Sequence, residues 1–263
     1  MNRSIPAWIT CCTLLLALAG SSTAAEKVTI FFVGAEASPA WKGAEQGIIE
    51  ANILGRFTGQ GYELKKSSAS AVPRGAAAVI VAAGGAAAAG ISDRVDGAVV
   101  NVTDGSDSLR KGCRANLFHT IPSDRMRADA LAQWRRNSKS QNNHARAWHP
   151  DFVKFAARDL NNRYRKTHGE AMDDEAWAAW AAVKTITEAV TRGQTTDPGA
   201  MARYLREELE FDGQKGAPHS FRDTGQLRQP LLIVEDGKLV AEAPVRGVAD
   251  PDDLDTLGLA ACP

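Results

Sequence analysis

Two rhythms alternate along the first half of this chain. Residues 28–33 (VTIFFV) form a β-branched and aromatic run with no polar face, which predicts a strand buried on both sides. Gly34 and Ala35 end it, and Ser38-Pro39 has the form of an N-cap followed by proline at the first helical position. The predicted helix carries Trp41, Ala44, Ile48 and Ala51 on one stripe, with Ile49 at its margin, and the glycines at 55, 59 and 61 break it. A shorter strand follows at 62–65. The same grammar repeats with residues 77–82 (AAVIVA), an alanine-rich helix opening at Gly84-Gly85, residues 97–102 (GAVVNV), a polar turn over 103–107, and a short strand over 117–121. Pro122-Ser123-Asp124 then opens a helix towards Trp134. Strands alternating with helices predict a parallel sheet with right-handed crossovers.

The second half has a different pattern. Residues 137–146 (NSKSQNNHAR) are polar and without period, which predicts a linker or surface loop. Helices are expected from about Asp151 to Gly169, from Asp173 to Gly193 with Trp177, Trp180, Val183, Ile186 and Val190 on one stripe, and from the Asp197-Pro198 cap onward. A hairpin over 231–241 turns at Asp236-Gly237. There is no internal repeat.

Composition changes this picture in two ways. Arg3, the apolar run over 9–19 and the small residues Ser21, Ser22, Thr23, Ala24 and Ala25 have the form of an export leader cleaved near Ala25. A membrane anchor is the competing reading of that run, which is short for a bilayer span. Lys plus Arg equals Asp plus Glu at 31 each, so no global field draws nucleic acid or an anionic membrane. A small molecule or another protein is the expected partner, and the expected compartment is the periplasm. Of the cysteines, Cys113 and Cys262 lie beyond the leader, and in an oxidising compartment such a pair usually bonds. Two free thiols remain the alternative.

The stretch DDEAWAAWAAVKTITEAVTRGQTTDPGAMARYL, then FDGQKG and HSFRDTGQLRQPLLIVEDGKLV, resembles the C-terminal part of type 1 periplasmic binding proteins of branched-chain amino acid and amide uptake systems. VTIFFVG with WKGAEQGIIEAN resembles that family's first strand and helix. CRANLFHTIPSDRMRADALAQW, LRQPLL and the terminal LDTLG with AC resemble a subgroup found with pyrroloquinoline-quinone-dependent alcohol oxidation systems. The resemblance implies an α/β fold of the type 1 periplasmic-binding-protein kind, a parallel sheet flanked by helices, with a second lobe reduced at the polar stretch 135–147. The expected organisation is a leader over 1–25, an α/β lobe over 26–134, a linker over 135–147, and a helical and β-rich segment over 148–263. It implies a solute-binding component of an ABC importer, acting as a monomer with an inner-membrane permease and without a cofactor. The other reading is a shortened accessory or sensor protein of the oxidation system.

In an open parallel sheet, ligands gather beyond the carboxyl ends of the strands. The turns there name Ser38, Gly84, Gly85, Thr103 and Asp104 as candidate ligand contacts, because amides at a helix start suit a carboxylate. They are equally the ordinary turns of such a sheet. Family members place hydroxyl-bearing residues where this chain has Gly84-Gly85. Trp177 enters as a cleft candidate through the resemblance, although helical spacing fits a core residue. Gly84-Gly85 lacks the three-glycine dinucleotide spacing, and no G-x-S-x-G, Walker loop or H-E-x-x-H occurs, so neither catalysis nor a catalytic residue is expected. The histidines (119, 144, 149, 168, 219) lack metal-ligand spacing, and Asp250, Asp252, Asp253 and Asp255 read as a solvated acidic tail without the glycine and final glutamate of a calcium loop.

Overall fold

The computed structural model describes residues 26–263; the expected leader at 1–25 lies outside the described residues. Five strands, β1 (Glu26–Val33), β2 (Gln60–Lys66), β3 (Ala78–Val81), β4 (Ala98–Asn101) and β5 (Leu117–His119), form one parallel sheet in the order β2-β1-β3-β4-β5. β3 and β4 are buried on both faces, which is why they read as apolar runs, interrupted in β4 by its last residue, Asn101. The period of two divides the sheet's side chains between two cores. Ile30, Phe32, Ile80 and Val100 face one way, and Val79, Val81, Val99 and Leu117 the other.

The first core is closed by α1 (Pro39–Thr58) and α6 (Asp174–Gly193). α6 is buried nearly all round, as a helix at the centre of a fold must be, so the aromatic stripe expected for it is one side of a helix whose buried residues run round most of its circumference. α1 meets it through glycines: a Cβ on Gly43 would lie 2.0 Å from the Ala176 carbonyl oxygen, and one on Gly47 2.7 Å from Val183 Cβ. Gly55 does not break the helix as the sequence suggests. It lets the last turn of α1 pass the Gln60 carbonyl, 2.2 Å from where a Cβ would stand, and the chain leaves the helix at Gly59 with φ 73°. On the other face lie α2 (Gly85–Ser92) and α3 (Asp107–Lys111); the latter is a short helix that reads in sequence as part of a polar turn.

A smaller antiparallel sheet stands beside this layer. Its strands are β6 (Asn143–Arg146), β9 (Leu231–Glu235) and β10 (Lys238–Ala243), in the order β10-β9-β6. The Asp236-Gly237 hairpin forms as expected, with both residues at positive φ, 49° and 77°. The linker expectation fails at residues 143–146: Asn143 and Ala145 alternate inward with period two, too short a pattern to show in a polar segment. α4 (Asp124–Trp134), capped by Ser123, lays Met126 and Ala130 on this sheet against Leu231, Ile233 and Val245. The remaining elements are α5 (Ala157–His168), α7 (Pro198–Glu207) and the two-residue strands β7 (Phe211–Asp212) and β8 (Pro218–His219). α5 starts later than the sequence suggests, because Phe155 sits at φ 53°, outside helical geometry.

Cys113 and Cys262 are bonded, with Cα atoms 6.1 Å apart. The four aspartates of the acidic tail are exposed, as a solvated tail requires, and one of them is also anchored. Buried Arg222 holds Asp255 at 2.7 Å and donates to the Leu254 carbonyl at 2.6 Å, while Arg228 reaches Asp255 at 2.9 Å. Among the described residues no helix is long and apolar enough to cross a membrane.

Candidate functional site

The carboxyl edge of the parallel sheet is organised by Asn101, the last residue of β4 and wholly buried. Its amide nitrogen donates to the Asp104 carbonyl at 2.8 Å, and its amide oxygen accepts the Asp104 N–H at 3.0 Å, so the loop closes round it. The same nitrogen stands 3.1 Å from His119 Nδ1. A side-chain amide nitrogen can only donate, so Nδ1 accepts and the ring proton lies on Nε2. Burial, reinforced by the charges of Arg110 and Arg206, pushes the His119 pKa well below the ordinary histidine value.

That loop delivers the Asp104 carboxylate to the start of α2. Oδ2 accepts the Gly85 amide at 2.7 Å, and Oδ1 accepts the Ser106 amide at 2.8 Å. Burial by itself raises this carboxyl's pKa; the hydrogen bonds from Ser106 and Gly85 and the charge of Arg110 outweigh it and hold the group below its usual value. Residue 85 is glycine because a Cβ there would lie 2.6 Å from Asp104 Oδ2. Gly84, at φ 83°, turns the chain into the helix. Of the candidates, Gly85 and Asp104 therefore meet directly, through a contact within the protein, and Gly84 and Thr103 are their neighbours in the chain. Ser38 caps α1, accepting from Trp41 at 3.2 Å and donating to the Ala35 carbonyl at 2.7 Å.

Beneath this edge lies Arg110, 1% exposed and without signal in the sequence beyond its place after Leu109. It donates to the carbonyls of Asp104 (2.8 Å), Ser106 (3.0 Å) and Ile121 (3.0 Å), and through Nε to Gln226 Oε1 (2.8 Å). Burial brings its pKa down to about 10, partly offset by Asp104, Asp107 and Asp124, so it stays charged at neutral pH. Gln226 also donates to the His119 and Ile121 carbonyls, each at 3.2 Å. Gln229 donates to the Thr120 carbonyl at 2.7 Å. The two glutamines of GQLRQP thus stitch together the crossovers between the sheets.

Trp177 does not reach the edge. It is 0% exposed, stacked on Trp148 at 5.9 Å, and donates to the Gly213 carbonyl at 3.2 Å. The buried ammonium of Lys215 lies 3.6 Å above its ring, donating to Gln229 Oε1 at 2.8 Å and to the Pro230 carbonyl at 3.3 Å. Burial pushes the Lys215 pKa well below its ordinary value. Neighbouring His219 is brought down to about 3, by burial first and by Lys215 second. Its Nδ1 pairs with the Ala217 carbonyl at 2.6 Å, and its Nε2 has no partner among the described residues. The sequence reading missed this cluster, for which FDGQKG followed by HSF was the available signal. Two surface cavities, of about 550 and 440 Å³, share the exposed Phe155 as a wall. Among the described residues no group of three histidine, cysteine or acidic side chains is placed to hold a metal ion.

No protein-family model matches this sequence, and no curated protein matches it. Solved structures do resemble it. An ABC transporter substrate-binding protein from Desulfitobacterium hafniense superposes with a TM-score of 0.66 at 14% identity, over 82% of this chain and 99% of that one. A branched-chain amino acid ABC transporter periplasmic ligand-binding protein from Burkholderia xenovorans gives 0.67 at 12% identity, over 82% and 95%. A solute-binding protein of an ABC transporter from Rhodopseudomonas palustris, in complex with 3,4-dihydroxybenzoic acid, gives 0.62 at 10% identity, over 86% and 98%. A parallel sheet closed by helices on both faces, joined by crossovers to a small second sheet, gives this chain the fold of the type 1 periplasmic binding proteins.

Proposed function

We propose that this protein is the periplasmic solute-binding component of an ABC importer, taking a small molecule at the carboxyl edge of the parallel sheet and delivering it to an inner-membrane permease. The observation that supports this most strongly is the extent of the fold likeness, 95–99% of the solute-binding chains from Burkholderia and Desulfitobacterium. Ser38, Gly84, Gly85, Thr103 and Asp104 are the proposed contacts. Because Asp104 fills the amide site at the start of α2 and carries a negative charge, the edge favours an amine, amide or hydroxyl group over a free carboxylate. Among amino acids, amides and alcohol-oxidation metabolites, amides and the uncharged metabolites are thereby ranked ahead of those with a free carboxylate.

The second reading is an accessory or sensor protein of a quinone-dependent alcohol oxidation system, with a second lobe too short to close on a ligand. The burial of Trp177 and the filling of the Gly85 amide favour it. The blocks that resemble that subgroup meet in space through Cys113–Cys262 and through Arg228–Asp255.

Thermal-shift screening of the exported protein against amino acids, amides, alcohols, aldehydes and carboxylic acids separates the two. A ligand that binds only the native state adds about 2.7 kcal/mol at a hundredfold excess over Kd. Stabilisation by an organic solute, abolished by altering Thr103 or Ser38, is the expected result. No response across the panel from a folded protein removes the transport reading and leaves the accessory one.

A further inference from the structure

The β7–β8 hairpin closes over Trp177 with little ladder of its own. Its strands have two residues each and share two register pairs, Phe211 with His219 and Asp212 with Pro218. A hairpin alone is at best marginally stable in water, so side chains must hold this one shut. Its turn carries Gln214 at φ 61° and Gly216 at φ 78°. Phe155, itself at φ 53°, rests its ring on Gly216, where a Cβ would lie 2.0 Å from a ring carbon. On the inner side the Gly213 carbonyl accepts from Trp177, and Lys215 reaches back to Gln229 and the Pro230 carbonyl.

His219, wholly buried, stands among these contacts. Its Nδ1 lies 2.6 Å from the Ala217 carbonyl, which can only accept, so the ring proton is on Nδ1 and Nε2 carries a lone pair. Nε2 has no partner among the described residues, and Gly213 lies against it: a Cβ there would stand 2.6 Å away. Phe211 meets the ring edge-on at 5.8 Å, and Trp177 lies at 6.3 Å. The charged group that acts on the ring is Lys215, whereas Asp174 and Glu242 act on Lys215. The other charged groups nearby are Glu210 and Asp212 on the hairpin side and Lys184, Glu188 and Arg192 on α6. They line a cavity of about 550 Å³ outside the turn, and none of them bonds to His219 among the described residues. A proton added to Nε2 would therefore meet a methylene group, two aromatic rings and a like charge, with no acceptor in the closed hairpin.

We propose that the β7–β8 hairpin is an acid-released flap. With Nε2 unprotonated, His219 lets the turn seat against Trp177. With Nε2 protonated, residues 213–217 swing outward and uncover the Trp177 indole and the Lys215 ammonium. The cavity bounded by Phe155, Gln214, Gly216 and Pro218 gives the turn room to move. Histidine suits such a switch because its ordinary pKa lies just below neutrality. Burial holds the ring at about 3 while the flap is shut, and exposure returns it towards 6.5. The open form thus binds the proton more tightly, and falling pH favours it. Opening is local because the hairpin's own ladder is short and the sheet beneath it gains nothing from the proton.

The test is hydrogen exchange followed by mass spectrometry at pH 7 and pH 4.5, corrected for the intrinsic pH dependence of exchange, on protein produced from the full sequence. Protection over residues 211–219 should fall roughly 50- to 100-fold between the two, the ratio set by the closed and open histidine, while β3 and β4 keep theirs. In His219→Gln the fall should disappear. His219→Phe, which keeps a ring between Phe211 and Trp177 but cannot titrate, is the second variant should the first not fold. Circular dichroism checks that each is folded. A hairpin equally protected at both pH values overturns the proposal, as does protection lost equally from β3 and β4. A fall of the same size in His219→Gln or His219→Phe overturns it too. So does a fall abolished by Asp212→Asn, which would place the switch in the carboxylate that accepts the Gln214 amide at 2.8 Å.

Discussion

The Asp104 carboxylate accepts the Gly85 amide at 2.7 Å, so a side chain of the protein occupies the place at the start of α2 where a bound anion would sit. Helix starts attract negative charge because their first amides lack partners within the helix. Here the loop after β4 supplies that charge from within.

Replacing Asp104 by alanine leaves the Gly85 and Ser106 amides without their acceptor. Loss of a comparable cap costs about 2 kcal/mol at the upper end, and chemical denaturation should show a loss of that order. Under the solute-binding reading the same variant should bind carboxylate solutes more tightly than the parent. Unchanged stability would mean that this hydrogen bond does not form in solution.

The same substitution should have opposite signs at two helical glycines. Gly43→Ala places a Cβ 2.0 Å from the Ala176 carbonyl oxygen and forces α1 away from α6, at a cost of about 3 kcal/mol or more. Gly90→Ala, in α2 with open space around it, should stabilise by about 0.5–1 kcal/mol through reduced freedom of the unfolded chain. Melting temperatures of the two variants check both signs.

Acid should destabilise the protein through its buried histidines. His219 has a folded pKa of about 3, and His119 also lies well below the ordinary value of 6.5. Both are depressed, so the unfolded chain binds the extra protons first as pH falls below about 6.5, and stability is lost progressively towards pH 3. At pH 5 His219 should contribute a loss of roughly 2 kcal/mol relative to neutral pH, and His119 a further loss in the same direction. Comparing urea midpoints at pH 7 and pH 5 tests this. His219→Gln should have a lower midpoint at pH 7 but a shallower fall between the two.

Reducing the Cys113–Cys262 bond, or replacing both residues by serine, should cost about 4–5 kcal/mol in the chain-entropy account of so long a loop. Because Arg222 and Arg228 hold Asp255 independently and the Gly258 amide donates to Asp129, hydrogen exchange should rise first at residues 260–263 and leave the Asp255 contacts protected. Equal exposure of the whole tail would show that the disulfide alone keeps it in place.

Much of the fold was determined by the sequence itself, because its central parallel strands are buried on both faces and so consist of apolar runs such as AAVIVA and, up to Asn101, GAVVNV. Helix starts at Ser38, Ser123, Asp173 and Asp197 were equally legible, since an N-cap acts through amides two or three residues away. The candidate site was legible only as a set of turns. That Asp104 meets Gly85, that Gln226 and Gln229 bind the crossovers, and that Trp177 lies under Lys215 depend on segments brought together from distant parts of the chain. No local period records such contacts. Only the tertiary structure decided that the polar stretch before Trp148 supplies a strand, because β6 gains its hydrogen bonds from β9, almost ninety residues later.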